Sequence, residues 1–356
     1  MKPYSFKKNY ASGITRRKFL KTASTAGAIT MVAPELLNQA YAEDNKKSPD
    51  DFDMKDILEI QQIEKKYHIS QVDVAGMVDL HVHGSGTEHP KSVVVKIESD
   101  YDTALVMAKH KAKAWVNKDK RGYTWATANI CRQLVPQTLT FGSICLHEEI
   151  GGINLYAVEV ALSQNAKIVW MNSKRTSRYN WINEDVIITD EKGDLLPQLQ
   201  DILKLTGEKN ACLATGHLSF EKTLLLAKEA RDLGVQKIIV THPDRFSQDQ
   251  QKQFNTFNVF FNRSLGTWPW WVKTGKGVIA WRHPHDLKPL VVPSIEGMRA
   301  VGMNKNLIST DWYSTMPWPD PPTEMKSYIW ALMENGVNKN EIDMLVNKNP
   351  SALLDI

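Results

Sequence analysis

The sequence predicts an α/β fold, a (β/α)8 barrel, and three observations carry that reading. Eight short runs of apolar and β-branched residues recur along the chain, each the length of a buried parallel strand. Stretches with helical periodicity and their own start and stop residues lie between them. Four of the runs end on a side chain able to bind a metal, and the C-terminal ends of the strands are where barrels keep their chemistry. Eight strands close such a barrel, and short links between parallel strands demand right-handed crossovers.

The strands are expected near 77–82, 113–117, 143–147, 167–171, 211–215, 236–241, 258–262 and 306–310. A helix precedes the first, from Met54 to Tyr67, with Ile57, Leu58, Ile60 and Ile63 at helical spacing. Asn154 is placed to cap a second helix carrying Ala157, Val158, Val160, Ala161 and Leu162. Leu195 to Leu205 supplies another. A further helix opens at Leu218-Ser219-Phe220-Glu221, with a cap residue and an acid in its first turn. Its inward stripe is Leu226, Ala227, Ala230 and Leu233, and Gly234 follows its end. Two long links break the rhythm: 172–194, with Lys174, Arg175 and Arg178, and 264–286, with Trp268, Trp270, Trp271 and Trp281. Loops of that length on the C-terminal face shape the mouth of a barrel. The tryptophans suit either an aromatic wall around a substrate or filling beneath a long loop.

Residues 1–42 stand apart from this pattern. Thr15-Arg16-Arg17-Lys18-Phe19-Leu20-Lys21 leads into a mildly apolar stretch from Ala23 to Leu37, and Ala40-Tyr41-Ala42 offers the small residues of a cleavage site. The segment resembles a twin-arginine export signal, with Thr15 where that signal usually has Ser. The resemblance implies the twin-arginine export machinery as a partner and the periplasm as destination, by a route that carries folded passengers. The apolar run is shorter than the roughly 20 residues that span a bilayer, so no stable membrane anchor is expected. Residues 43–72 then form a polar lead-in and N-terminal helix, and 73–356 the barrel.

Of 44 Lys and Arg and 40 Asp and Glu, seven basic residues and one acidic residue lie in 1–42, which leaves 37 positive and 39 negative charges beyond them. The basic balance of the whole chain belongs to its leader. It gives no support to nucleic acid as a partner, and a small-molecule substrate is expected. Cys131, Cys145 and Cys212 are too few and too scattered for a disulfide framework and read as small buried hydrophobes.

The chemistry-bearing segments are Asp79-Leu80-His81-Val82-His83, Ala214-Thr215-Gly216-His217, Val240-Thr241-His242-Pro243 and Ser309-Thr310-Asp311. His81 and His83, two apart on a strand, share a face and can meet one divalent ion through neutral imidazole nitrogens. One such pair arises by chance. The recurrence of ligand-type residues at later strand ends makes the four segments read as one divided metal site. Asp79 is either an acceptor behind the ligands or a polar strand-end residue.

With these residues the chain resembles the amidohydrolase superfamily, whose pattern is HxH on strand one, a His on each of strands five and six, and an Asp on strand eight. Leu213-Ala214-Thr215-Gly216-His217-Leu218-Ser219 and Val240-Thr241-His242-Pro243 are similar to a bacterial branch of it. The ending Asn349-Pro350-Ser351-Ala352-Leu353-Leu354 resembles the Asn-Pro-Ala-x-Leu-Leu common there, with Ser351 in place of the first Ala. The resemblance covers nearly everything from about Val74 onward and implies a (β/α)8 TIM barrel of amidohydrolase type. It also implies one or two divalent ions, Zn²⁺ foremost, with Mn²⁺ or Fe²⁺ as alternatives. His81, His83 and His217 would bind the metal, Asp311 would bind it weakly and accept a proton from the attacking water, and His242 would bind a second metal or polarise the substrate.

Binuclear members usually bridge their metals with a carboxylated Lys or a Glu ending strand four. Here that strand ends Trp170-Met171-Asn172-Ser173-Lys174. Lys174 in its basic loop, Lys118 at the end of strand two, and Glu148 or Glu149 at the end of strand three are the bridging candidates, and a single firmly bound metal is favoured. Lys118 could instead hold a substrate carboxylate or a developing oxyanion, or lie on the surface. His283 and His285 repeat the HxH spacing without a strand and are not expected to bind metal. The expected reaction is metal-dependent hydrolysis of an amide, lactone or ester carbonyl. Metal-dependent decarboxylation, and ligand binding without turnover in the periplasm, stay open beside it.

Overall fold

The computed structural model describes residues 62, 65–66, 68–84, 99–119, 122–171, 186–264, 284–313 and 320–356. Six of the eight strands are continuous: β1 (Val78–His83), β2 (Ala114–Lys118), β4 (Ile168–Trp170), β5 (Cys212–Ala214), β6 (Lys237–Thr241) and β7 (Phe260–Ser264). The other two are broken, β3 into Leu139–Phe141 and Ser143–Cys145, and β8 into Asn306–Ser309 and Trp312–Tyr313. Among the described residues these strands pair in parallel and in chain order. The first piece of β3 pairs with β2 and the second with β4, while the first piece of β8 pairs with β7 and the second with β1. The breaks therefore join a sheet of four and a sheet of six into one ring, a (β/α)8 barrel.

The sequence expectation of a strand over 143–147 captures only the second piece of β3. The cause is Gly142, where a Cβ would stand 2.3 Å from the Cα of Trp125, so the helix that follows β2 lies too close for any side chain. The strand expected near 258–262 begins two residues later, at Phe260.

Around the ring run α1 (Asp100–Lys109), α2 (Thr124–Leu134), α3 (Leu155–Ser163), α4 (Pro197–Glu208), α5 (Phe220–Asp232), the short α6 (Gln248–Gln253), α7 (Pro284–Val301) and α8 (Pro321–Glu334). Two short helices close the chain, α9 (Lys339–Asp343) and α10 (Asn349–Leu354). Their starts follow capping chemistry. Asn154 accepts from the Ala157 N–H and Ser219 from the Lys222 N–H, as the sequence indicates, and Ser99 with Asp102 forms a full capping box. The helix expected from Leu195 begins at Pro197, whose missing N–H costs nothing in a first turn.

Apolar side chains divide between the inside of the ring and its outer face. Val78, Leu80, Val116, Ile168, Cys212, Ile239 and Leu307 fill the inside, joined by Leu353 and Leu354 of α10. Outside, one core packs β3 to β7 against α3, α4 and α5, and another packs β1, β2 and β8 against α1, α7 and α8. Trp312 belongs to that second outer core and is fully buried in it, so it fills space behind the strand. The export signal expected over 1–42 lies outside the described residues. So do all or most of the helix expected over Met54–Tyr67, the links 172–194 and 264–286, Lys174 and the tryptophan cluster.

Candidate metal centre

A bulge in β1 aims the two histidines. Val78 and Asp79 pair with Ala114 and Trp115, yet Val82 and His83 pair with Asn117 and Lys118, so β1 holds one residue more than β2 over the same span. The extra residue shifts the alternation, which lets Val78 and Leu80 point inward at the base while His81 and His83 point inward at the mouth. Asp79 faces the seam with β8. Its Oδ1 accepts from the His81 N–H at 3.0 Å, and its Oδ2 accepts from the Thr310 hydroxyl at 2.6 Å. Burial pushes the Asp79 carboxyl up to about 6, against the pull of the Thr310 hydroxyl. Of the two roles open to it in the sequence, Asp79 fills that of an acceptor behind the histidines.

Four residues from strands one, six and eight meet at the mouth. His81 Nε2 lies 2.8 Å from Asp311 Oδ1, His83 Nε2 lies 3.0 Å from the same oxygen, and the two imidazole nitrogens are 3.2 Å apart. His242 Nε2 is 3.8 Å from the other Asp311 oxygen. His217 stands edge-on to His242 with ring centroids 4.8 Å apart, so it borders the cluster through that ring. All five side chains are buried. The structure thus brings together every histidine and the aspartate that the strand ends single out.

His242 and Asp311 share a backbone conformation that sequence patterns did not reveal. Their φ angles are 51° and 55°, in the left-handed region that non-glycine residues rarely occupy. Such residues concentrate at functional sites, where surrounding contacts hold them in place. For Asp311 one such contact is its own N–H, which donates to the His81 carbonyl at 2.9 Å. For His242 the side chain is held as well, by a 2.7 Å hydrogen bond between Nδ1 and the Ser264 hydroxyl that turns Nε2 toward Asp311. Burial, followed by the neighbouring His217 and His81, holds the His242 imidazole well below its usual range and so neutral.

Lys118 is a buried residue, only 2% exposed, and this corrects the surface alternative. Its Nζ lies 2.7 Å from His81 Nε2 and 4.4 Å from the ring centroid of Trp170. Trp170 in turn packs on His81 at 4.7 Å between centroids and forms the floor of the centre. Glu148 is exposed on a short turn after β3, and Glu149 and Lys174 lie outside the described side chains. The sequence pattern assigns no role to Trp170, Ser264 or Thr310. Trp170 and Ser264 end β4 and β7, and strand-end position is the signal that could have found them.

The donor set fits a divalent cation. His81 Nε2 has three polar neighbours: Lys118 Nζ at 2.7 Å, Asp311 Oδ1 at 2.8 Å and His83 Nε2 at 3.2 Å. An imidazole nitrogen has one lone pair or one N–H, so hydrogen bonding cannot satisfy all three. A cation shared by His81, His83 and Asp311 accounts for the two contacts made by His83 and Asp311. One ligand atom each from His81, His242 and Asp311 falls within 4.8 Å of the others. Imidazole with carboxylate suits Zn²⁺, Mn²⁺ and Fe²⁺.

The model of DUF6282, a family of unknown function, matches residues 76–261, just over half of the chain. No curated protein matches it by sequence. Solved structures are similar in fold. The probable dipeptidase PvdM of Pseudomonas aeruginosa superposes with a TM-score of 0.55 at 10% identity, covering 84% of this chain and 98% of its own. An amidohydrolase of Pseudomonas aeruginosa gives 0.52 at 12% identity over 82% and 97%. A protein of Pseudomonas putida described as a 2-pyrone-4,6-dicarboxylic acid hydrolase gives 0.51 at 14% over 79% and 97%. Identities this low speak for the barrel and leave the reaction to the site.

Proposed function

Because this chain belongs to DUF6282, a family of unknown function, we propose its activity from the site itself: metal-dependent hydrolysis of an amide, lactone or ester carbonyl. The observation that carries the reading is the convergence of His83 Nε2 and Asp311 Oδ1 on the single nitrogen His81 Nε2, with His242 within reach of the same carboxylate. In the proposal His81, His83, His217 and His242 supply imidazole nitrogens to the metal and Asp311 a carboxylate oxygen, with Zn²⁺ the first choice of ion. A bound divalent ion would lower the pKa of water to about 7 and polarise the carbonyl.

The rest falls to side chains. Asp311 accepts the proton of the attacking water on Oδ2 and returns it to the leaving group; its left-handed backbone keeps that oxygen turned into the mouth. Ser264 holds His242 in one orientation, so that the imidazole meets its ligand without reorganising. Trp170 closes the floor and keeps bulk water from below. Lys118, pressed between Trp170 and His81, offers a positive point charge to an oxyanion.

Elemental analysis after reconstitution with Zn²⁺ or Mn²⁺ tests the proposal. About one ion or more per chain is expected, together with turnover on at least one member of an amide, lactone and ester panel. The His81→Ala, His83→Ala double variant should lose the ion and keep its fold. Near-absence of metal in the reconstituted wild type overturns the reading, and CO₂ release from a carboxylic acid substrate without hydrolysis replaces it with decarboxylation. We also propose export of the chain to the periplasm through Arg16-Arg17. Fractionation of an Arg16→Lys, Arg17→Lys variant should then show it retained in the cytoplasm.

A further inference from the structure

Arg245 ends the short turn Pro243–Arg245 that follows His242, three residues beyond it and at the mouth of the barrel. Its Nη2 donates to the Gly216 carbonyl at 3.1 Å, in the turn that carries His217. The guanidinium carbon lies 4.4 Å from the ring centroid of Phe246, so one face of the group is covered by an aromatic ring. The remaining nitrogens, Nε and Nη1, are sealed from solvent and have no hydrogen-bond partner. The neighbouring carboxylate does not serve them, because Asp244 is committed to Arg263 and to the Ser294 hydroxyl.

A guanidinium carries five N–H groups, and leaving several of them dry and unmatched is costly. Burial pushes Arg245 down to about 9, which still leaves it charged at neutral pH. Folds tolerate such a liability chiefly where a ligand removes it. What removes it must be anionic, must accept hydrogen bonds, and must be flat enough to lie along a guanidinium whose face is already covered. Nothing about Arg245 helps to hold a metal. Its place three residues after His242 and its hydrogen bond to Gly216, the residue before His217, set it beside the reacting groups.

We propose that Arg245 binds a carboxylate of the substrate, so that the centre acts on acidic molecules that carry this group in addition to the scissile bond. The proposal rests on the metal-hydrolase reading of the same mouth. Arg245 then decides which substrate is accepted and takes no part in bond breaking.

Calorimetric titration of the full chain, metal-free and zinc-loaded, with benzoate, benzamide and phenyl phosphate tests it. Benzoate is expected to bind at least tenfold tighter than benzamide in both forms. Arg245→Met should abolish that preference with zinc content unchanged and the unfolding midpoint equal or higher, since an unmatched buried charge has been removed. Arg245→Lys should keep part of it. An Arg245→Met protein that unfolds earlier yet still prefers benzoate overturns the proposal and makes Arg245 a structural residue. Phenyl phosphate binding tighter than benzoate overturns the carboxylate assignment. Failure of the wild type to take up zinc sinks the hydrolase reading alone, because the metal-free titration still decides on Arg245.

Discussion

Asp311 and His81 are joined twice, by a 2.9 Å backbone hydrogen bond from the Asp311 N–H to the His81 carbonyl and by a 2.8 Å approach of Oδ1 to Nε2. Backbone placement and side-chain chemistry can therefore be separated by substitution. Asn tolerates the left-handed conformation as Asp does, so Asp311→Asn should leave the unfolding midpoint unchanged. It should lower kcat by about 10²- to 10⁴-fold, the usual worth of a proton acceptor. Asp311→Ala should in addition lose about 1 kcal/mol of stability from backbone strain, read by urea denaturation.

Ser264 tests whether His242 is a ligand. Ser264→Ala removes the hydroxyl that holds Nδ1 and should weaken metal binding by about 10- to 100-fold in competition with a chelator. Unchanged affinity would mean that His242 polarises the substrate and does not touch the ion.

Behind β7 lies a buried charge that serves stability. Arg263, fully buried, donates Nε to Asn306 Oδ1 at 2.8 Å and Nη2 to Gln251 Oε1 at 2.8 Å, and pairs through Nη1 with Asp244. Arg263→Met strands the Asp244 carboxylate and should cost about 3–5 kcal/mol in urea denaturation. Adding Asp244→Asn should recover part of that loss.

The thiols should be inert while the chain is folded. Burial pushes Cys131 up to about 11 and Cys212 up to about 12, so at pH 8 roughly one thiol in a thousand and one in ten thousand is ionised. Iodoacetamide at pH 8 should leave both unmodified in the native protein and alkylate both in urea. Rapid native labelling of either would contradict the packing described for β5 and α2.

The ring and the residues at its mouth were legible because each depends on a local pattern. An apolar run of strand length, followed by a ligand-type residue, repeats at His81, His217, His242 and Asp311 without reference to any distant part of the chain. What escaped depends on neighbours across the barrel. The break at Gly142 exists because α2 crosses there, and the bulge in β1 because β2 is one residue shorter. Lys118 looks solvated in the cluster Lys118-Asp119-Lys120-Arg121, yet its position on β2 turns it inward against Trp170. The left-handed residues His242 and Asp311 carry no glycine to announce the turn.

The interrupted eighth strand has a consequence for when the buried cluster can form. Its second piece pairs with β1, and 228 residues separate His83 from Asp311. The cluster therefore straddles the seam where the first and last strands of the ring meet, and no fragment of the barrel contains it. A nascent chain cannot assemble the ligand set until β8 has been made and docked. Occupancy by metal would then report that the first and last strands of the ring have met.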